Sequence, residues 1–339
     1  MGMMLDKDEA IVKLVVYGKS GTGKTSLGVS APRPLILLSE RQGFRSVRDA
    51  AKRLGVPTPP TMYLQTASDL RACIRSLKGN PNEPIASAMR EVMGSNPETE
   101  AAILALPYTK PESIVCDSLT DFFRLISEDV LEGLGFPKAK DNQEVKSDRY
   151  WDLLRSRSDG LVTSLRDLPY HVVMLCLLDD RMVGKDDEAT RQVGPDTPMR
   201  ALASKLVAAS NACGISYTDQ RTSMNDKGEP EYAYEWKVRF RGPRYMVVKP
   251  TEPLKDVESP NVADWIERIF AHDADLGRSE QADRDERAAA RASAGQAEAA
   301  SAEVGAPSSE AGTPPAEATK VKRVGPRRQA APATQEGGV

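Results

Sequence analysis

The chain has 339 residues, 40% of them hydrophobic and 28% charged, with 46 Lys and Arg against 49 Asp and Glu and a formal net charge of −3. Length and composition leave room for one large α/β domain or two small ones plus a tail. The slightly acidic balance excludes a molecule drawn to nucleic acid by its overall field, so any such binding must come from local patches. The four cysteines, Cys73, Cys116, Cys176 and Cys213, stand too far apart for C-x-x-C zinc spacing. Cys116 and Cys176 lie inside apolar runs, which reads as buried free thiols in a reducing compartment. There is no run of eighteen apolar residues and no cationic leader followed by an apolar core, so no membrane contact and a cytoplasmic location are expected. Met1-Gly2 makes no myristoylation pattern, because Asp6 stands where Ser or Thr is needed.

The first informative stretch follows an apolar, β-branched run, Ile11 to Tyr17, that predicts a buried strand. Gly18-Lys19-Ser20-Gly21-Thr22-Gly23-Lys24-Thr25 then fits G-x-x-x-x-G-K-[ST]. Gly18, Gly21 and Gly23 have no Cβ to clash at φ > 0. The backbone N–H groups of the loop, through Ser26, can therefore turn inward as an anion nest at the start of a helix that continues through Leu27. In such a loop Lys24 reaches the β- and γ-phosphates and the Thr25 hydroxyl holds Mg²⁺. A chance Gly-rich turn is the weaker alternative, since the motif has its strand before it and its helix after.

Ala31-Pro32-Arg33-Pro34 breaks the helix, and Leu35 to Ser39 predicts a second buried strand ending at Glu40. That carboxylate falls on the strand-end rim where open α/β sheets place ligands. Taken alone it reads rather as a solvated Glu paired with Arg41 or Arg45. Helices are expected over Phe44 to Leu54 and Ser68 to Leu77, around a short strand near Tyr63-Leu64, with Gly55 and Gly79 as stops. Residues 80–111, rich in proline, read as an insertion. Ser113 to Asp117 is a strand ending in a carboxylate, followed by Ser118-Leu119-Thr120 and a helix through Leu131. Asp117 is placed to support Mg²⁺ opposite Thr25, against the competing role of helix N-cap for Asp117 or Ser118.

A polar connection over 133–150 precedes a helix over 151–168 and a long buried strand from His171 to Leu178, where His171 reads as a strand-start residue rather than a ligand. Residues 182–197 are charged and predict a β-hairpin or a loop; a helix over 199–211 and a strand over 214–217 follow. Tyr232 to Phe240 alternates, with Tyr234, Trp236, Val238 and Phe240 on one face, which reads as core. With Tyr245 to Lys249 beyond Gly242-Pro243 it predicts an antiparallel hairpin on the sheet edge. A helix over 262–270 closes the core at 272. Residues 273–339, poor in large apolar side chains, predict a disordered tail with a basic end, Lys320 to Arg328.

Alternating strands and helices predict an α/β fold, a mainly parallel sheet flanked by helices with a C-terminal antiparallel hairpin. No N-K-x-D stretch points to a GTPase, and Ser118 stands where many ATPases carry a base directly after the metal Asp, so Glu40 is the candidate to activate water. The loop at 18–25, the strand end at Glu40, Asp117-Ser118-Leu119-Thr120 and the His171-Val172-Val173 strand together resemble phage-encoded, RecA-like nucleotide-binding proteins, among them ATP-dependent single-strand annealing recombinases. The resemblance spans about residues 11–270. It implies ATP and Mg²⁺ as cofactors, Glu40 polarising the attacking water, Asp117 supporting the metal, and a homo-oligomer with nucleotide between subunits. It further implies contacts to single-stranded DNA at 134–149 and 181–197, and a Lys249 that reaches a neighbour's nucleotide. Where that family has a polar amide or His at the end of the 171–178 strand, this chain has Leu177-Leu178-Asp179-Asp180. The 181–197 stretch also mixes Asp186, Asp187 and Glu188 with Arg181, Lys185 and Arg191, so it is not a plain electrostatic funnel. The expectation is an ATPase acting on single-stranded DNA in phage recombination or replication. The alternatives are a nucleotide-dependent interaction module with negligible turnover and a small-molecule phosphotransferase.

Overall fold

The computed structural model describes residues 11–79, 110–136, 147–183, 190–224 and 230–276, with Arg278 and Arg284. The chain divides into two units, Met1–Gln281 and Ala282–Val339, and every described residue except Arg284 belongs to the first. Nearly all of the 80–111 insertion, much of the 133–150 connection, and the tail with its basic end lie outside the described residues.

The sheet has the order β3-β2-β4-β5-β1-β7-β8-β9. It comprises β1 (Lys13–Gly18), β2 (Pro34–Leu38), β3 (Thr61–Tyr63), β4 (Ser113–Asp117), β5 (His171–Val183), β7 (Ala212–Met224), β8 (Pro230–Arg239) and β9 (Val257–Glu258), while β6 (Thr190–Pro195) pairs with the far half of β5. From β3 to β7 all neighbours run parallel; β6, β8 and β9 add antiparallel pairs. A parallel sheet is covered on both faces, which is why its strands read as unbroken apolar runs. In β1, Val15 and Tyr17 enter one core with α3 (Ala67–Lys78), α4 (Leu119–Gly133), α5 (Asp148–Arg166) and α6 (Arg200–Ala208). Leu14 and Val16 enter the other, with α1 (Lys24–Val29), α2 (Gly43–Leu54) and α7 (residues 262–276). Gly28 lets α1 lie close to the sheet, since a Cβ there would sit 2.7 Å from Val115 Cγ1.

The expected mainly parallel α/β fold is borne out, with three differences. The strand expected over 171–178 continues to Val183 and pairs with β6, in register from Leu178↔Pro195 to Val183↔Thr190. The hairpin partner of β8 is β7, in register from Ile215↔Arg239 to Met224↔Pro230, and not residues 245–249. Those residues make only isolated bridges, Val193↔Met246 and Cys213↔Lys249, because the Phe240 N–H donates to the Asp256 carbonyl and draws β9 onto the edge instead. The aromatic stripe is core only in its inner half. Val238 and Phe240 are buried, whereas Tyr232 and Tyr234, beyond the reach of the helices, are 54% and 65% exposed. All four cysteines are free and buried, and burial pushes the Cys73 thiol up to about 12.

Candidate nucleotide site

Strand register fixes the stage. Gly18 ends β1 opposite Leu177 of β5, and Asp117 ends β4 opposite Leu175, so the loop and the carboxylate share one rim with a single strand between them. Leu38 of β2 is paired with Asp117, which puts Glu40 two residues further along that rim.

The loop's glycines serve two purposes. Gly21 and Gly23 take φ of 81° and 79°, where a side chain is strained. Gly18 does not need positive φ; it is required for space, as a Cβ there would lie 2.5 Å from the Ser216 carbonyl oxygen of β7. Ser216 Oγ donates to the Thr22 carbonyl at 2.6 Å, and Thr22 Oγ1 donates to the Lys19 carbonyl at 2.8 Å, so β7 and the loop itself hold the turn. The Lys24 ammonium donates to the Gly18 and Lys19 carbonyls at 2.8 and 2.7 Å. It is buried, and burial lowers its pKa against the pull of Asp117.

Thr25 Oγ1 donates to Asp117 Oδ2 at 2.7 Å. Burial raises the Asp117 pKa; the Thr25 hydrogen bond and the Lys24 charge oppose that, and Asp121 and Glu40 add to it. The cap of α4 is Ser118, whose side chain accepts from the Asp121 N–H at 3.3 Å, so Asp117 is left facing the loop. Glu40 is exposed, and its charge is felt at Asp117. It does not form the ion pairs open to it in the sequence: Arg45 pairs with Asp49 at 3.8 Å, and Arg41 lies over the Tyr63 ring.

Several residues that sequence reasoning missed tie the rim together. Thr120 Oγ1 accepts from the Leu177 N–H and donates to the Asp196 carbonyl, both at 3.0 Å, linking the start of α4 to the middle of β5 and the end of β6. Arg124 bridges Asp121 at 2.7 Å and Asp196 at 4.0 Å. Only the hydroxyl at Thr120, three residues past the end of β4, hinted at such a link. His171 is structural: its Nδ1 accepts from the Val12 N–H at 3.0 Å and its ring meets Phe270 edge-on. Lys249 donates to the Ser210 carbonyl of its own chain, at the end of β7 away from the loop, so its side chain is engaged there.

The donor set suits a nucleoside triphosphate with a hard cation. Nothing lies within 4 Å of the side-chain direction at Gly21, leaving the loop mouth open. Among the described residues no three His, Cys, Asp or Glu side chains converge as a metal cage. A hydroxyl and one carboxylate, completed by phosphate oxygens, is the ligand pattern Mg²⁺ favours. None of the helices among the described residues is long and apolar enough to cross a membrane. No curated protein matches the chain. A family model described as an AAA domain matches residues 10–208, which takes in the loop, Glu40, Asp117 and both strands of the β5–β6 arm. The chain therefore belongs to the AAA domain family of nucleotide-binding, ATPase-type phosphate-loop proteins.

Proposed function

We propose that the protein is a Mg²⁺-dependent ATPase that acts on single-stranded DNA as a head-to-tail homo-oligomer, in phage recombination or replication. The observation that carries the ATPase reading is the 2.7 Å contact of Thr25 with Asp117 beneath an open phosphate loop, with the Glu40 charge felt at the same carboxylate. Lys24 binds the β- and γ-phosphates, leaving its loop carbonyls to do so. Thr25 and Asp117 are the residues that would hold Mg²⁺, which neutralises charge on the terminal phosphates when bound. Glu40 orients the attacking water and takes its proton on the carboxylate. Ser118 and Thr120 keep Asp117 aimed by fixing the first turn of α4.

Two antiparallel arms, β5–β6 and β7–β8, run past the rim on either side of β1. What supports the DNA reading is the pair of exposed tyrosines on β8, Tyr232 and Tyr234, since successive bases stack on such rings without sequence preference. A second reading, a nucleotide-dependent interaction module with negligible turnover, is favoured by one observation. Where β5 passes the rim level with Gly18 it presents Leu177 and Leu178, and the Leu177 N–H is already taken by Thr120, so neither residue supplies a polar side chain to read the γ-phosphate.

ATPase assays with and without single-stranded DNA separate the two. The first reading expects DNA-stimulated hydrolysis that falls by about 10²- to 10⁴-fold in Glu40→Gln with ATP binding retained. Tight ATP binding with a flat hydrolysis trace supports the second. Equal turnover by Glu40→Gln and the parent removes the role given to that carboxylate.

A further inference from the structure

The side of the loop away from Asp117 carries a second cluster. Trp236 of β8 faces Thr218 in register, two residues past the level of Gly18 and Ser216, so its indole stands above the rim beside the loop. A Cβ on Gly23 would lie 2.5 Å from Trp236 Cδ2 and 2.8 Å from Cε3 and Cγ, which places the ring face against this glycine. Arg53, near the end of α2, has its guanidinium carbon 4.7 Å from the centroid of the same indole, and its Nη2 donates to Ser26 Oγ at 3.0 Å. Ser26 is buried on α1, directly after the proposed metal-side Thr25. Three elements distant in sequence therefore meet at Gly23 and Ser26.

The direction of a bound triphosphate follows from the sheet order. Thr25 and Asp117 fix its terminal end on the side of β5 and β4. The remainder must leave past Ser26 toward β7 and β8, where Trp236 and Arg53 stand. We propose that Trp236 and Arg53 form the nucleoside wall of the site, receiving the base of a nucleoside triphosphate on the planar guanidinium and the indole edge. The inference rests on the nucleotide reading above. A guanidinium stacks on both its faces, so Arg53 can keep its place on the indole and still carry a base. The hydrogen bond to Ser26 sets the plane of the guanidinium before the base arrives, which reduces the ordering cost of binding.

The test compares ATP with inorganic tripolyphosphate, which has the phosphates and no nucleoside, by calorimetry on the full chain with Mg²⁺. Trp236→Ala is expected to weaken ATP about tenfold while tripolyphosphate affinity stays the same. Arg53→Lys, which keeps the charge and loses the plane, is expected to do likewise, and Trp236→Phe to restore part of the loss. Equal weakening of both ligands by Trp236→Ala would overturn the proposal, because the indole would then only brace Gly23. Unchanged ATP affinity in both variants would overturn it as well. A parent protein that binds neither ligand would instead defeat the nucleotide reading itself, and this proposal with it.

Discussion

In the floor of the site, Lys24 is 8% exposed and Thr25 meets a half-buried Asp117, whereas on the arms above it the charges face solvent in pairs. Arg181 holds Asp179 at 2.8 Å and Arg191 holds Asp180 at 2.6 Å on the β5–β6 arm; Arg221 holds Glu235 at 3.1 Å and Lys237 holds Asp219 at 2.5 Å on the β7–β8 arm. Burial makes each floor group strongly dependent on its partner, because an unpaired charge there has no water to turn to. Exposure makes each arm pair worth only about 0–1 kcal/mol. The floor is thus where a single side chain decides binding. The described charges of the arms are mostly paired with one another, and the β7–β8 arm alone adds exposed rings, Tyr232 and Tyr234.

The largest effect that would break this contrast if absent is at Lys24. Lys24→Ala removes the buried cation that meets the phosphates and should cost about 2–5 kcal/mol of ATP binding, read as loss of a calorimetric signal at micromolar protein. Next comes Asp117→Asn. Its folded pKa is raised by burial, so the unfolded chain binds fewer protons in the window above the ordinary aspartate value, and the ionised carboxylate costs stability as pH rises through it. The Asn variant should therefore melt no lower than the parent at neutral pH without ligand, with the difference vanishing in acid. It should also lose the Mg²⁺ dependence of ATP binding.

On the arms the expected effects are smaller. Tyr234→Ala with Tyr232→Ala should weaken single-stranded DNA by about 1–3 kcal/mol per lost stack, while Arg191→Ala should change protein stability by no more than about 1 kcal/mol. A steep salt dependence of DNA affinity with no tyrosine effect would reverse the account of the arms. Outside both regions, at the opposite end of β1, the Lys13 ammonium donates to the Leu168 and Tyr170 carbonyls at 2.7 Å and burial lowers its pKa to about 8. The unfolded chain binds more protons between there and the ordinary lysine value, so stability should rise with pH across that interval, and Lys13→Met should remove the rise in denaturant titrations.

The two regions were also unequally legible. The loop, the strand ends at Glu40 and Asp117, and the two-sided burial of the sheet are local patterns: glycines at fixed spacing, apolar runs of strand length, a carboxylate at each strand's close. Ser118 as the α4 cap was one of two candidates, and only geometry chose between them. What escaped notice depends on contacts across long stretches of chain. Ser216 reaches Thr22 across 194 positions, and Trp236 finds Gly23 and Arg53 only because β8 folds back on β7. That pairing has a sequence signal in Asn225-Asp226-Lys227-Gly228, turn-forming residue types between two alternating runs, whereas the hairpin was expected at Gly242-Pro243. The outer half of the aromatic stripe was misread for a related reason: alternation reveals which residues share a face, not how far the covering helices extend.

The account turns on the floor of the site, and its most direct test is isothermal calorimetry of ATP into the full chain with and without Mg²⁺. The account predicts one nucleotide per chain, bound more tightly when Mg²⁺ is present, with the signal lost in Lys24→Ala. Absence of heat with ATP and Mg²⁺ together, or binding indifferent to both Mg²⁺ and Lys24, would contradict it.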